Sequence, residues 1–497
     1  MVASNSFVFL NHRHTLPDKG GWNDTSLEKL WIYNLHYFDD LCAEDKASKK
    51  LLHEQLIQRW ILENPPSKSV GWDPYPTSLR IINWIKWGLS GNNLSATCAE
   101  SLYNQARWLM KRLEWHLLGN HLFTNAKALV FAGVFFKGNQ AKTWLKKGLS
   151  IIYQQLCEQI LKDGGHFELS PMYHAIFLED ILDLINILQA WNDKAADESL
   201  SILKSYVSQM FNWLSGMTHP DGDISFFNDA SLKIAPKLSE IVEYASRLKV
   251  DPQISSISYS TSSLAPEVDI KIFKESGYVR LESSSAVSIL DVAAIGPDYL
   301  PGHGHADILS FELSLFNKRV IVNSGTFCYQ DGQERRQLRQ TSAHSTVEIN
   351  NESSSEVWGS FRVGRRAYPC SLKVKKSFSE VAVSCSHNGY QRFSSKPVHH
   401  RIWKMTQDKL NIYDEVSGVL PAVARYILHP EIQCSKIDES QCELRMSDGK
   451  IAHFTSKIGE ISIIKATYYP EFGKKVDTQA IIVKVTHGKA ISVFSWN

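Results

Sequence analysis

Hydrophobic positions recur every three or four residues from about residue 28 to 248, then every second residue from about 269 onward. Leu30, Trp31, Tyr33, Asn34, Tyr37, Phe38 and Leu41 set the first pattern, and similar windows cover 78–89, 97–117, 122–136, 140–161, 174–191 and 199–215. Helix-ending residues separate them: Asn64-Pro65-Pro66, Gly91-Asn92-Asn93, Gly119-Asn120, Lys137-Gly138-Asn139 and Asp163-Gly164-Gly165. Seven or more helices with short connectors predict helix pairs arranged around a ring or in a solenoid. A Ser/Thr/Pro-rich stretch over 253–268 reads as a linker. Beyond it, runs such as Tyr278-Val279-Arg280-Leu281, Val381-Ala382-Val383-Ser384 and Leu410-Asn411-Ile412-Tyr413 alternate with period two, which predicts a large antiparallel β-sandwich. The predicted fold class is multidomain, α then β: a helical domain over 1–252 and a sandwich over 269–497.

Composition adds a little. At 497 residues the chain exceeds a single core. A net charge of +2 gives no basic field of the kind that nucleic acid demands. The 14 Trp, 18 Tyr and 22 Phe suit packed helices and also stacking on sugar rings. None of the eight cysteines forms a CxxC pair, so they read as free thiols. The first residues lack a basic segment followed by a secretory apolar run, and no stretch reaches membrane-spanning length. The expectation is a soluble cytoplasmic chain, or a periplasmic one if a leader has been removed; oligomeric state is unreadable.

The densest chemistry lies in Gly302-His303-Gly304-His305-Ala306-Asp307, directly before the run Ile308–Phe316. On an extended chain His303 and His305 share a face, and two imidazoles aimed one way suit a proton or a metal. A third histidine follows at His344, after a strand-like run that ends in Asn323-Ser324-Gly325. In the helical half, Asn120 and His121 sit at a helix junction, where they either cap a helix or form a donor pair for a carboxylate. Tyr173 either packs or acts as a base, with His166, Glu168 and His174 near it in sequence to shift its pKa. Tyr75 and Arg80, with Asn34 and His36 of a similar cluster, divide evenly between structural and sugar-binding readings, and Arg339 lies in an arginine run that suits an anionic polymer.

These motifs, taken with Leu30–Phe38, Trp72–Arg80, Gly119-Asn120-His121, Glu168–His174, Ser324-Gly325-Thr326 and Ala343–Thr346, resemble the heparinase II/III-like polysaccharide lyases and their alginate-lyase relatives. The resemblance implies an incomplete (α/α) toroid followed by a β-sandwich. It implies that Asn120 and His121 neutralise a uronate carboxylate, that Tyr173 is base and acid, and that His303 assists from the opposite side. Apart from the resemblance, Tyr75, Arg80, Asn34, His36, Glu168, His174 and Arg339 are expected to contact the sugar. His305, Asn323 and His344 would hold zinc, although members with this metal carry Asp where this chain has Asn323, and a neutral amide is a weaker zinc ligand. The implied reaction is β-elimination on an anionic uronate polysaccharide. The alternatives are a uronyl C5-epimerase serving polysaccharide synthesis and a non-catalytic polysaccharide-binding protein.

Overall fold

The structure, a computed structural model, describes residues 1, 5–66, 69–254 and 267–496. Most of the expected linker, 255–266, lies outside the described residues. Among the described residues nine α-helices precede the strands of the sandwich: α1 (Lys29–Tyr37), α2 (Lys50–Glu63), α3 (Pro74–Leu89), α4 (Ala96–Met110), α5 (Gly119–Phe135), α6 (Asn139–Gln159), α7 (Pro171–Trp191), α8 (Asp197–Gly216) and α9 (Leu238–Arg247). The fold class is as expected, helices first and antiparallel sheets second.

The chain divides into two compact units, Met1–Ile160 with Glu179–Val207, and Leu161–Leu178 with Ser208–Asn497. This differs from a simple cut in the linker. The first unit is built on aromatic packing: Trp60 meets Trp84 at 5.6 Å and Trp72 at 5.9 Å, and Phe38 meets Trp84 at 5.4 Å. Helix α5 is apolar on nearly every face and is correspondingly buried along most of its length. Its one buried cation, Lys127, is held by Asp180 and Asp183, and Asp183 also takes Lys86. Buried charge is tolerated here because every partner is present.

Two large sheets make up most of the second unit. One runs, neighbour by neighbour, Ile461–Glu471, Lys474–Lys484, Ala422–Leu428, Lys318–Val322, Phe311–Leu315, Ala286–Asp291, Tyr278–Glu282 and Asp269–Phe273, with Val347–Ile349 also paired to Ala422–Leu428. The other runs Pro369–Lys376, Val381–His387, His399–Met405, Lys409–Val416, Lys489–Trp496, Ile451–Ile458, Gln441–Arg445 and Gln433–Lys436. In the second sheet burial alternates strictly along Val381–His387 and His399–Met405, the mark of one covered face. In the first sheet Ala286–Asp291 and Phe311–Leu315 are buried on both faces. The outer face is covered by Leu169, Trp213, Met217 and Phe227, which pack on Tyr278, Val287 and Ile289. The Tyr278 hydroxyl donates to the Leu169 carbonyl at 2.8 Å. Leu161–Leu178, with Tyr173 in it, is therefore laid on the sheet.

Two local expectations change, and helices α2 and α9 match none of the helical windows in the sequence. The strand expected from Ile308 begins only at Phe311, because Leu309 has φ 59°, a left-handed value that breaks extension. The helix expected through residue 117 stops at Met110, and the Asn125 side chain then takes the backbone N–H of Glu114. Helix α2 has no clean apolar stripe in the sequence, since Leu51 and Leu62 point to solvent.

Candidate functional site

Helix α7 opens with Ser170-Pro171. Proline suits the first helical position, and the Ser170 Oγ accepts from the Tyr173 N–H at 3.3 Å, a helix cap. The same hydroxyl donates to the Asp229 carbonyl at 2.6 Å. Asn228 binds three ways: its Nδ2 donates to Leu169 O at 3.0 Å, its Oδ1 accepts from His305 N at 2.9 Å, and its N–H donates to Asp307 Oδ2 at 3.1 Å. Asp229 N–H closes the set on His303 O at 3.0 Å. Leu169 and Asn228 both have positive φ, 59° and 56°. Asn tolerates that region; for Leu it stores strain that these bonds hold in place.

The Asp229 carboxylate is fully buried and accepts five contacts. Arg335 donates through both terminal nitrogens, His303 Nδ1 and His305 Nε2 each donate at 2.9 Å, and Thr326 lies at 3.4 Å. Burial alone would raise its pKa, but Arg335 and the two imidazoles hold it well below the usual carboxylate range. A carboxylate only accepts, so His303 keeps its proton on Nδ1 and, when neutral, carries its lone pair on Nε2. The expectation that His303 and His305 converge is met, though through Asp229 and not through strand alternation.

Tyr173 stacks on His303, with ring centroids 4.1 Å apart at 37°. Its hydroxyl lies 2.9 Å from that of Tyr329. Burial, then the Asp229 charge, push the Tyr329 phenol well above its ordinary value. Tyr329 packs against Phe472 and Phe361 and under the Arg335 guanidinium, 5.0 Å from the ring centroid. Tyr173, His303, Asp229, Tyr329 and Arg335 are thus one assembly within the second unit. Asp229, Tyr329 and Arg335 escaped the sequence reading as site residues. Only the Asn228-Asp229 pair in a polar, aperiodic stretch hinted at the first.

Several expected sugar contacts are corrected. His174 is fully buried, with Nδ1 accepting from His166 N–H, Nε2 on the Met210 carbonyl, and its ring on Trp213 at 4.4 Å; burial lowers its pKa to about 3. Glu168 is buried beside His166, its Oε2 3.9 Å from the ring nitrogen. Arg339 spends its donors on the carbonyls of Gly304, Gly359 and Arg362. Gly304 admits no side chain, since a Cβ would lie 2.5 Å from Ile295 O. In the first unit Arg80 is fully buried on Gln105, His36 O and Thr77 and lies 3.9 Å over Trp60. His36 is bonded to Trp22 O and Trp60 Nε1, and burial lowers its pKa to about 3. Asn34 bonds its own helix at Leu30 O. Tyr75 and His121 stack at 4.5 Å in a half-buried position, and His121 also bonds Glu114. Asn120 is half-buried, and its amide makes no side-chain hydrogen bond among the described residues.

The zinc expectation can be tested on the donors. Two imidazole nitrogens on a tetrahedral zinc stand roughly 3.3 Å apart, given Zn–N of ~2.0–2.1 Å. His305 Nδ1 and His344 Nε2 are 3.3 Å apart. However, the same arrangement recurs in the sandwich core: Asp414 takes Arg401 through two bonds and His399 Nε2 at 2.8 Å, and His399 Nδ1 lies 3.3 Å from His387 Nε2. There His387 Nδ1 accepts from Gly389 N–H, so hydrogen bonds account for the whole set. Asn323, the third expected ligand, donates to Phe226 O and accepts from Ser345 N–H. Two nitrogens fall short of the four donors of a structural zinc site. Among the described residues no group of three or more His, Cys, Asp or Glu is arranged to hold a metal. The donors present do not fit a four-coordinate zinc.

Two family models cover most of the chain: heparinase II/III N-terminus over residues 59–259 and heparinase II/III-like, C-terminal over 265–497. A heparin-sulfate lyase of Bacteroides stercoris is 29% identical over 258 residues, 48% of this chain and 38% of that protein. One from Pedobacter heparinus is 26% identical over 253 residues, 47% of this chain and 36% of that protein. The chain spans less than half the length of these curated relatives. The crystal structure of a heparan sulfate lyase HepC mutant from Pedobacter heparinus shares the fold, with a TM-score of 0.67 at 16% identity over 99% of this chain and 81% of that one. With both models in chain order and the motif residues around Tyr173 and His303 in one assembly, the chain belongs to the heparinase II/III-like family.

Proposed function

We propose that the protein is a polysaccharide lyase that cleaves a uronate-containing anionic glycan, of the heparan sulfate class, by β-elimination. The carrying observation is the stacking of Tyr173 on His303 while Asp229 fixes the His303 proton on Nδ1. One patch then offers a phenol oxygen and an imidazole Nε2, a donor and an acceptor of protons next to each other. The heparin-sulfate lyase relatives support the substrate class.

Removing the C5 proton of a uronate places a second negative charge beside its carboxylate. The base is Tyr173 or His303 Nε2, according to the C5 configuration presented. As the C5–H bond breaks, its electrons form the C4=C5 double bond and expel the O4 leaving group. A proton from Tyr173 or His303 goes to O4. No water is consumed. Tyr329 holds its proton tightly, so once Tyr173 is ionised the Tyr329 hydroxyl, 2.9 Å away, can only donate to the phenolate oxygen and favours that form. Donors on the substrate carboxylate would stabilise the enolate-like transition state, an effect usually worth several kcal/mol. From the resemblance alone, that role falls to Asn120 and His121.

The test is to incubate the protein with heparan sulfate and follow the ultraviolet absorbance of unsaturated uronate, for wild type and Tyr173→Phe. Wild type gives product and the variant, with an unchanged melting temperature, gives none. Near-wild-type turnover by Tyr173→Phe would remove Tyr173 from the mechanism. Exchange of C5 hydrogen with heavy water and no new absorbance would point to epimerisation instead.

A further inference from the structure

Among the described residues six Phe, Tyr and Trp side chains are strongly exposed, and four of these fall in two stretches, Tyr299 (56%) in the loop that leads to His303 and Trp358 (58%), Phe361 (41%) and Tyr368 (41%) over 357–368, whose Phe361 touches His303. Exposing that much ring surface in one place is costly unless something covers it. The strands Val357–Trp358 and Arg362–Val363 form a small hairpin with Trp358 opposite Arg362. Residues directly opposite across an antiparallel pair share a face, so the indole and the guanidinium rise from the same side.

The hairpin is held in register with the catalytic assembly. Arg335, bound to Asp229, donates from Nε to Ser360 O at 3.0 Å. Arg339, bound to Gly304 O, donates to Gly359 O at 3.2 Å and Arg362 O at 3.3 Å. The Phe361 ring meets His303 edge-on at 5.8 Å. The second loop is tied on as well: Arg366 and the Tyr368 hydroxyl both bind Asp298 at 2.9 Å. Arg365 pairs with Glu356 at 3.6 Å, whereas Arg362 has no carboxylate partner among the described residues. An exposed ring and an unpaired cation on one face, fixed beside the proposed base, are complementary to an anionic sugar: the ring stacks on the C–H face of a pyranose and the guanidinium takes a charged substituent.

We propose that the Val357–Val363 hairpin is a sugar subsite, where Trp358 stacks on the pyranose next to the reacting uronate and Arg362 binds that pyranose's carboxylate or sulfate. This rests on the lyase reading for the identity of the glycan. The experiment measures calorimetric binding of heparan sulfate, and of the same polymer after chemical desulfation, to the full chain carrying Tyr173→Phe so that nothing is cleaved. Adding Trp358→Ala weakens binding of both polymers about tenfold, Trp358→Phe restores most of it, and Arg362→Ala weakens binding with loss of preference between the two if sulfate is the partner, or equally for both if carboxylate is. In the active protein the Trp358→Ala loss falls on KM. Binding within twofold for both Trp358→Ala and Arg362→Ala overturns the subsite, as does a Trp358→Ala loss confined to kcat, which would mean the hairpin only props His303. If wild type binds the polymer, loses that binding with Trp358→Ala and yet releases no unsaturated product, the subsite stands and the lyase reading falls.

Discussion

Replacing Asp229 by Asn keeps the outline of the side chain and removes its charge. The native carboxylate accepts from Arg335 twice and from His303, His305 and Thr326, whereas an amide offers one acceptor oxygen and turns an NH2 toward groups that are themselves donors. Arg335 is fully buried and stays charged, and stripping one partner from a buried ion pair costs about 3–5 kcal/mol. For a unit of about 300 residues, with an unfolding entropy of ~2.1 cal/mol/K per residue, the melting temperature drops by about 5–8 °C. Turnover suffers separately, because nothing then holds the His303 proton on Nδ1. In serine proteases the same exchange at the Asp that orients the catalytic His lowers turnover on the order of 10⁴-fold. Calorimetry and product formation on the purified variant read the two effects. The folded pKa of Asp229 is depressed, so its stabilisation is complete above the unfolded value near ~3.9 and fades only as pH falls through the folded one. The wild-type to variant gap should therefore be constant from pH 5 to 8 and narrow in stronger acid. A melting temperature within 1 °C of wild type, with turnover within a few-fold, would refute the reasoning from buried charge and tautomer.

Tyr329→Phe removes the hydroxyl that can donate to an ionised Tyr173, so turnover falls and the rising limb of its pH profile moves up by about one unit, the value of one hydrogen bond to a charged group; an unmoved profile would exclude the contact from catalysis. His344→Ala empties a buried position and leaves His305 Nδ1 unpaired, costing about 2 kcal/mol or more in denaturant unfolding, and chelator treatment of wild type does not reproduce the loss. If chelation does reproduce it, a metal holds the pair. Burial depresses His36 and His174 to about 3, one in each unit, so folding needs both neutral. Stability is complete above ~6.5 and falls by up to ~1.4 kcal/mol per pH unit for each as the solution is acidified toward 3. Melting curves from pH 7.5 to 4.5 check this, and a flat series would contradict it.

The order of helices and strands was legible because burial is one-sided in most elements, and one-sided burial writes a period into the chain. Helix α2 was hidden by Leu51 and Leu62, which break its stripe by facing solvent. Tyr173 and His303 were legible as candidates, since both stand in short polar motifs at the edge of apolar runs, and the structure brings their rings together. Their neighbours misled: His174 follows Tyr173 in sequence, but consecutive helical residues diverge by ~100°, so it points into Trp213. Arg80, His36 and Arg339 carry the right groups for an anion, yet their donors serve backbone carbonyls in the interior, and burial of a polar side chain leaves no periodic trace. Asp229 was invisible for a different reason. Its partners His303 and Arg335 are 74 and 106 residues away, and no local pattern encodes a contact of that span.

The hydrogen bonds by which Arg335 and Arg339 grip the Val357–Val363 hairpin all end on main-chain oxygens, at Gly359, Ser360 and Arg362. Of the side chains at the tip, Phe361 shares in the anchoring through its packing on His303, Tyr329 and Arg335, whereas those of Trp358 and Arg362 take no part in it. Trp358 and Arg362 can therefore be exchanged, by evolution or by design, to suit other ligands, while the groups proposed to act below them keep their places.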